Sequence, residues 1–334
     1  MPRASSSSRR RSARARASAA AWPLSFLLLG CGTRDGRVGA GGGVGPGGAS
    51  GAGSLDGGGP GTGSLIFTTE MTANGGLWDV VAHLPGASVA FGAPASASAT
   101  RDGLVAALTF PGDATGADAR YVGSDANTGL ESVQPFHYGT FRARVRWTTC
   151  GPSEEVVSAA ALYASDGRDL NGNGLPDLHE LDFQVLCGTP SFVVLTAWSD
   201  YQKDTLGRET FLKHSHAIDT ATGDVYDTLV PGEAAFTRTD HAPAFLHPSF
   251  PDPAAFYDIG VTWQADHVRF FMSLDGSEVT LWDLTEAAYV PLVPLTMIFN
   301  LWHPPNHWLP SPSTAAIPDH ASAFSVDRAE WYDE

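Results

Sequence analysis

The sequence predicts an all-β fold, a β-sandwich of two antiparallel sheets spanning residues 64–334. Three observations lead there. From Ser64 onward apolar residues recur at period two far more than at 3.6. The runs are short and are separated by Gly, Pro, Asp and Asn, residues that turn the chain. No amphipathic segment is longer than about two helical turns. Two stacked sheets bury alternating faces without help from helices, which makes the sandwich the economical architecture.

The elements follow in order. Phe141-Arg142-Ala143-Arg144-Val145-Arg146-Trp147 alternates, with three arginines on one face and apolar side chains on the other, so one face is solvated. Leu181-Asp182-Phe183-Gln184-Val185-Leu186 is a second run, ending at Cys187. Ile259–Trp263 and Val268–Leu274 are joined by Gln264-Ala265-Asp266-His267, and Asp275-Gly276 turns the chain again, giving a β-meander. Phe324–Trp331 supplies a last alternating strand.

Composition excludes several classes. With 43% hydrophobic and 17% charged residues among 334, the chain has core enough for a large domain and is not wholly disordered. A formal charge of −16 argues against a nucleic-acid partner. The three cysteines lack CxxC spacing, so there is no zinc cluster, and nothing in the chain calls for an organic cofactor.

Residues 1–30 read as an address. Six arginines and no acid precede an apolar run from Ala19 to Leu29, in the order of a secretion signal. The run is too short to cross a bilayer, which needs roughly 20 residues as helix. Leu28-Leu29-Gly30-Cys31 resembles the lipobox of bacterial lipoproteins, which implies acylation at Cys31 and a membrane contact through that lipid only. An ordinary signal peptide with an incidental cysteine is the alternative. Cleavage removes six positive charges, taking the formal charge from −16 to −22. Residues 31–63 are a tether: half of residues 32–63 are glycine, and a flexible chain of that length spans about 30 Å. The expected product is an exported, membrane-anchored bacterial lipoprotein. In an oxidising compartment Cys150 and Cys187, both at strand ends, are expected to pair, contributing on the order of 3–4 kcal/mol.

The chemistry concentrates between residues 169 and 184. Asp169, Asn171, Asn173 and Asp177 place oxygens at positions one, three, five and nine of the pattern D-x-[DN]-x-[DN]-G-x₅-E. Leu175 would add its carbonyl and Glu180 would close the shell, a hard-oxygen set suited to Ca²⁺. The alternative is an Asn/Gly/Asp turn without an ion. Overlapping it, Glu180, Asp182 and Gln184 alternate and so share one face of a strand.

That second motif resembles the Glu-x-Asp-x-Glu of the family 16 glycoside hydrolases. Tyr138-Gly139-Thr140-Phe141-Arg142-Ala143-Arg144 is similar to the family's Tyr-Gly-x-Phe-Glu-x-Arg strand. Tyr257–Trp263 with the Asp275-Gly276 turn, Phe299-Asn300-Leu301-Trp302 and Phe324-Ser325-Val326-Asp327 follow in the family's order. The resemblance spans about residues 136–330. It implies a concanavalin A-like jelly roll and retaining hydrolysis of a polysaccharide, β-glucan by analogy, with two carboxyl groups about 5–5.5 Å apart. Carried over, Glu180 takes the nucleophile's place and Asp182 that of its tuning acid. The acid/base place holds Gln184, an amide with no proton to give. A bulged strand would put Val185 there instead.

Three readings stay open. A working hydrolase would take its proton from elsewhere, with Asp200, His179 or His303 as sources. A binding protein would have kept the cleft without the cut, stacking sugar on Trp198, Tyr201, Trp302 and Trp308. In the third reading Glu180 ligates Ca²⁺ and the motif is structural. His214-Ser215-His216 and His241 match no catalytic pattern.

Overall fold

A computed structural model describes residues 63–333, apart from 97–99, 114, 116–117, 123–126, 152–153, 166, 170–176, 189–190, 204–208, 231–236, 242–249, 275–276 and 305–315. Cys31, the tether and most of the proposed calcium loop therefore lie outside the described residues, as does Trp308. The first strands are β1 Ser64–Glu70, β2 Trp78–Ala82, β3 Ser88–Pro94, β4 Leu104–Phe110, β5 Thr128–Phe136, β6 Gly139–Arg146, β7 Val156–Ser165 and β8 Leu178–Cys187. They continue as β9 Phe192–Lys203, β10 Glu209–Asp219, β11 Asp224–Val230, β12 Thr237–His241, β13 Tyr257–Trp263, β14 Val268–Leu274, β15 Ser277–Leu284, β16 Leu295–Trp302 and β17 Ser322–Asp333. Ala119–Tyr121 and Ala287–Tyr289 form 3-10 turns.

Among the described residues the strands make two antiparallel sheets. One has 8 strands, in the order β15-β14-β13-β6-β17-β4-β3 with β1 also on β17; the other has 9, in the order β12-β11-β10-β9-β8-β7-β16-β5-β2. The chain is a jelly-roll β-sandwich, as its alternation predicts. Strands far apart in sequence are neighbours, β6 beside both β13 and β17, and β7 beside β16.

Alternation explains how the layers close. Leu181, Phe183 and Val185 of β8 point into the inter-sheet core with Phe141, Trp147, Phe270 and Phe324. Trp147 stacks on Phe183 at 5.8 Å and on Phe324 at 5.3 Å, so both sheets grip one indole. The buried ring of Phe183 fixes which way β8 faces, and Asp182 and Gln184 must turn to the other side.

The arginine face of β6 lies on the outside of the 8-stranded sheet. Arg142 meets Glu278, Arg144 meets Asp258, and Arg328 of β17 also meets Asp258, at 2.6–2.9 Å. The ladder links β15, β13, β6 and β17 through charge-assisted bonds. At the start of β6, Gly139 has φ +126°, and a Cβ there would sit 2.3 Å from the carbonyl oxygen of Tyr332.

Cys150 and Cys187 are joined, with Cα atoms 5.5 Å apart across a separation of 37 residues. The bond ties the end of β8 to the segment after β6. Reduction is expected to lower stability by on the order of 3–4 kcal/mol. A Tm unchanged by reductant in a thermal scan would contradict this.

Candidate functional site

β8 pairs without any register shift along both β7 and β9. Glu180 lies between Tyr163 and Trp198, Asp182 between Ala161 and Thr196, and Gln184 between Ala159 and Val194. The unbroken register settles the alternative of a bulge: Val185 points into the core, and Gln184 shares the outer face with the two acids. The same pairing carries on into β10, setting Lys213 across from Trp198 and Ser215 across from Thr196. Thr196 and Ser215 share a hydroxyl hydrogen bond of 2.9 Å.

Glu180 and Asp182 are each 4% exposed and Gln184 is 3% exposed. Burial drives the electrostatics. It raises the Glu180 pKa well above the usual carboxylate value, and the charge of Asp182 raises it further. Burial also raises Asp182 to about 6, while Lys213 and a hydrogen bond from Glu180 pull it down. The two buried carboxyls share a hydrogen bond, and burial holds both above the usual carboxylate range. Burial lowers the Lys213 pKa, opposed by the charges of Glu180 and Asp182. Its Nζ stands 5.0 Å from the centre of the Trp198 ring.

Asp200 lies on the same face, one alternation beyond Trp198. Its Oδ1 accepts from the indole N–H of Trp198 at 3.0 Å and its Oδ2 from the backbone N–H of Leu178 at 2.8 Å. Burial raises it to about 6; those two bonds oppose the rise, and the charges of Asp177 and Asp169 add to it. Two carboxyls of the proposed loop thus act on Asp200. Asp169 is exposed and Asp177 buried; Asn171, Asn173 and Leu175 lie outside the described residues.

These shifts have a stability consequence. Asp182 and Asp200 have folded values of about 6 against 3.8, so the folded chain binds protons that the unfolded chain has released. Their contribution is fully present below about 3.8 and is lost as pH rises through about 6. The Tm is expected to be ~5 °C higher at pH 5 than at pH 7.5, with Asp200→Asn flattening the slope. A Tm that rises with pH across this window would contradict the assignment.

The other sequence-predicted residues fall in varied places. Trp198 is part-buried beside Glu180. Tyr201 belongs to β9, and its side chain is outside the described residues. Trp302 is 1% exposed and packs with Val157, Leu186, Phe192, Val194 and Ala217, inside an apolar cluster and not on an open ring face. His179 occupies the alternate face of β8 from Glu180 and is fully buried. His303 donates from Nδ1 to the carbonyl of Glu155 at 2.6 Å, and burial lowers its pKa.

Lys213 is the residue of this face that sequence reading missed. Its strand has no recognised motif, and only the alternation Lys213-Ser215-Ala217 against His214-His216-Ile218 hinted that the lysine shares a face with small polar residues. The histidines of that strand turn the other way: His216 Nδ1 lies 2.7 Å from Asp227 Oδ1 and its ring stacks on Trp282 at 5.3 Å. Burial would raise Asp227, but bonds from His214, His216 and Thr239 outweigh it and hold the carboxyl low.

No family model matches the sequence, and no curated protein is similar to it. Among solved structures, a β-glucanase of Bacillus licheniformis is similar at 14% identity and TM-score 0.43, over 82% of this chain and 100% of that one. A κ-carrageenase of Pseudoalteromonas carrageenovora in complex with a κ-carrageenan oligotetrasaccharide shows 15% identity and TM-score 0.43, over 82% and 96%. A laminarinase of Flavobacterium sp. UMI-01 shows 14% identity and TM-score 0.41, over 81% and 100%.

Proposed function

We propose that residues 64–334 form a polysaccharide-binding domain on a family 16 glycoside hydrolase frame, in which the hydrolytic step is disabled. The supporting observation is the unshifted register of β8, which sets an amide on the same face as Glu180 and Asp182, where the family resemblance expects a proton donor. General acid–base help is typically worth 10²–10⁴-fold, and an amide supplies none. Glycan contact would come from Trp198, Lys213 and the hydroxyls of Thr196 and Ser215. In this proposal Cys31 anchors the domain by lipid, and the glycine-rich tether holds it about 30 Å from the bilayer.

A second reading, retaining hydrolysis of a β-glucan, draws on Asp200, a carboxyl held at about 6 on the same face. The two readings separate in one experiment. The mature chain is run through gels containing laminarin, lichenan, agarose or xylan, and the same glycans are assayed for new reducing ends. Retardation without reducing ends is expected. Reducing ends that disappear in Asp200→Asn would establish the hydrolase instead.

A further inference from the structure

Two buried carbonyl oxygens on the outer face of the 9-stranded sheet have no hydrogen-bond partner: Oε1 of Gln184 and Oδ1 of Asn300. Their side chains are 3% and 8% exposed. Register brings them together. Asn300 of β16 pairs with Ala159 of β7, and Ala159 pairs with Gln184 of β8. The two amides therefore stand two strands apart, about 10 Å between backbones, with only the Ala159 methyl between them. A buried acceptor left unmade costs on the order of 1–3 kcal/mol, so a pair of them on one face asks for donors from outside the chain.

The surroundings narrow the donor. Ala161, the next residue of β7 on this face, is flanked by Asp182 on one side and Ile298 on the other, and Ile298 pairs in turn with Glu131. The oxygens thus lie near two acids, Asp182 on the strand of Gln184 and Glu131 on the strand next to that of Asn300. Lys213, the cation described on this face, is already engaged by the Trp198 ring and by Glu180 and Asp182. The full chain is acidic, at −16. We infer that Gln184 and Asn300 form an acceptor pair that takes hydroxyl donors of one neutral sugar unit, and that this position rejects sugars bearing carboxylate groups. The inference rests on the proposed polysaccharide-binding reading and names its substrate class.

The test uses the full chain and its Gln184→Met and Asn300→Leu variants, titrated with laminaripentaose and with pentagalacturonate, alongside thermal scans. Each substitution is expected to weaken laminaripentaose binding about tenfold. Tm is expected to hold or rise, since each variant removes an unsatisfied oxygen from a buried place. That opposite movement of affinity and stability is what a merely structural amide would not produce. Unchanged affinity in both variants overturns the inference, and so does a loss of affinity accompanied by a Tm drop of several degrees. Binding of pentagalacturonate as tight as that of laminaripentaose overturns it while leaving the polysaccharide reading intact. If the unsubstituted chain binds neither oligosaccharide and is retarded by none of the four gels, the polysaccharide reading falls, and this inference with it.

Discussion

Gln184→Glu is expected to turn a binder into a hydrolase, raising reducing-end release from a retained glycan by 10²–10⁴-fold over the unsubstituted chain. The substitution is nearly isosteric and lands on the face that already holds Glu180 and Asp182, in a strand whose pairing leaves no freedom of register. Burial and the neighbouring acids will raise the new carboxyl as they raise the existing ones, so it holds its proton near neutrality and has one to give. Proton donor and nucleophile then stand in the order that retention requires. Adding Glu180→Gln should abolish the gain. The variant should also melt lower at pH 8 than at pH 5, because a third crowded carboxyl is easiest to bury when protonated. Retained binding with no reducing ends from Gln184→Glu would show that the lost donor is not what silences the site.

The second large effect is structural. Gly139→Ala is expected to cost at least about 3 kcal/mol and to leave a large fraction of the chain unfolded at 37 °C. The residue's φ of +126° strains any side chain, and the added methyl would lie 2.3 Å from the Tyr332 oxygen and 2.8 Å from the Trp331 indole nitrogen. Those atoms belong to β17, so the clash pries apart the central pairing of the 8-stranded sheet. Chemical denaturation of the variant checks it; a midpoint within experimental error of the unsubstituted chain would refute the account. This is also why a glycine follows Tyr138 in the sequence: β17 has no room for anything larger there.

Much of the fold was legible because strands announce themselves locally. The alternation of Phe141–Trp147 marked β6 within two residues at its start and one at its end, the Ile259–Trp263 run lies within β13, and Val268–Leu274 is β14, the two paired as expected. The shared face of Glu180, Asp182 and Gln184 followed from the same period of two. What the sequence hid depends on pairing between distant segments. Nothing local says that Lys213 lies two strands from Glu180, or that Asn300 and Gln184 flank one alanine. Trp302 shows the same dependence on distant pairing: it is the last residue of β16, ahead of the prolines, and its ring is drawn into an apolar cluster supplied by β7, β8, β9 and β10.

The bond from the Trp198 indole to Asp200 gives the molecule a built-in optical gauge. When that carboxyl takes up its proton near pH 6, the negative charge beside the indole vanishes, and the ring's emission should change colour or brightness in step. A glycan that settles on the same ring must displace the Lys213 ammonium resting over it, which disturbs the light a second way. Occupancy and acidity can thus be followed by eye of a fluorimeter, in solution, with no label attached.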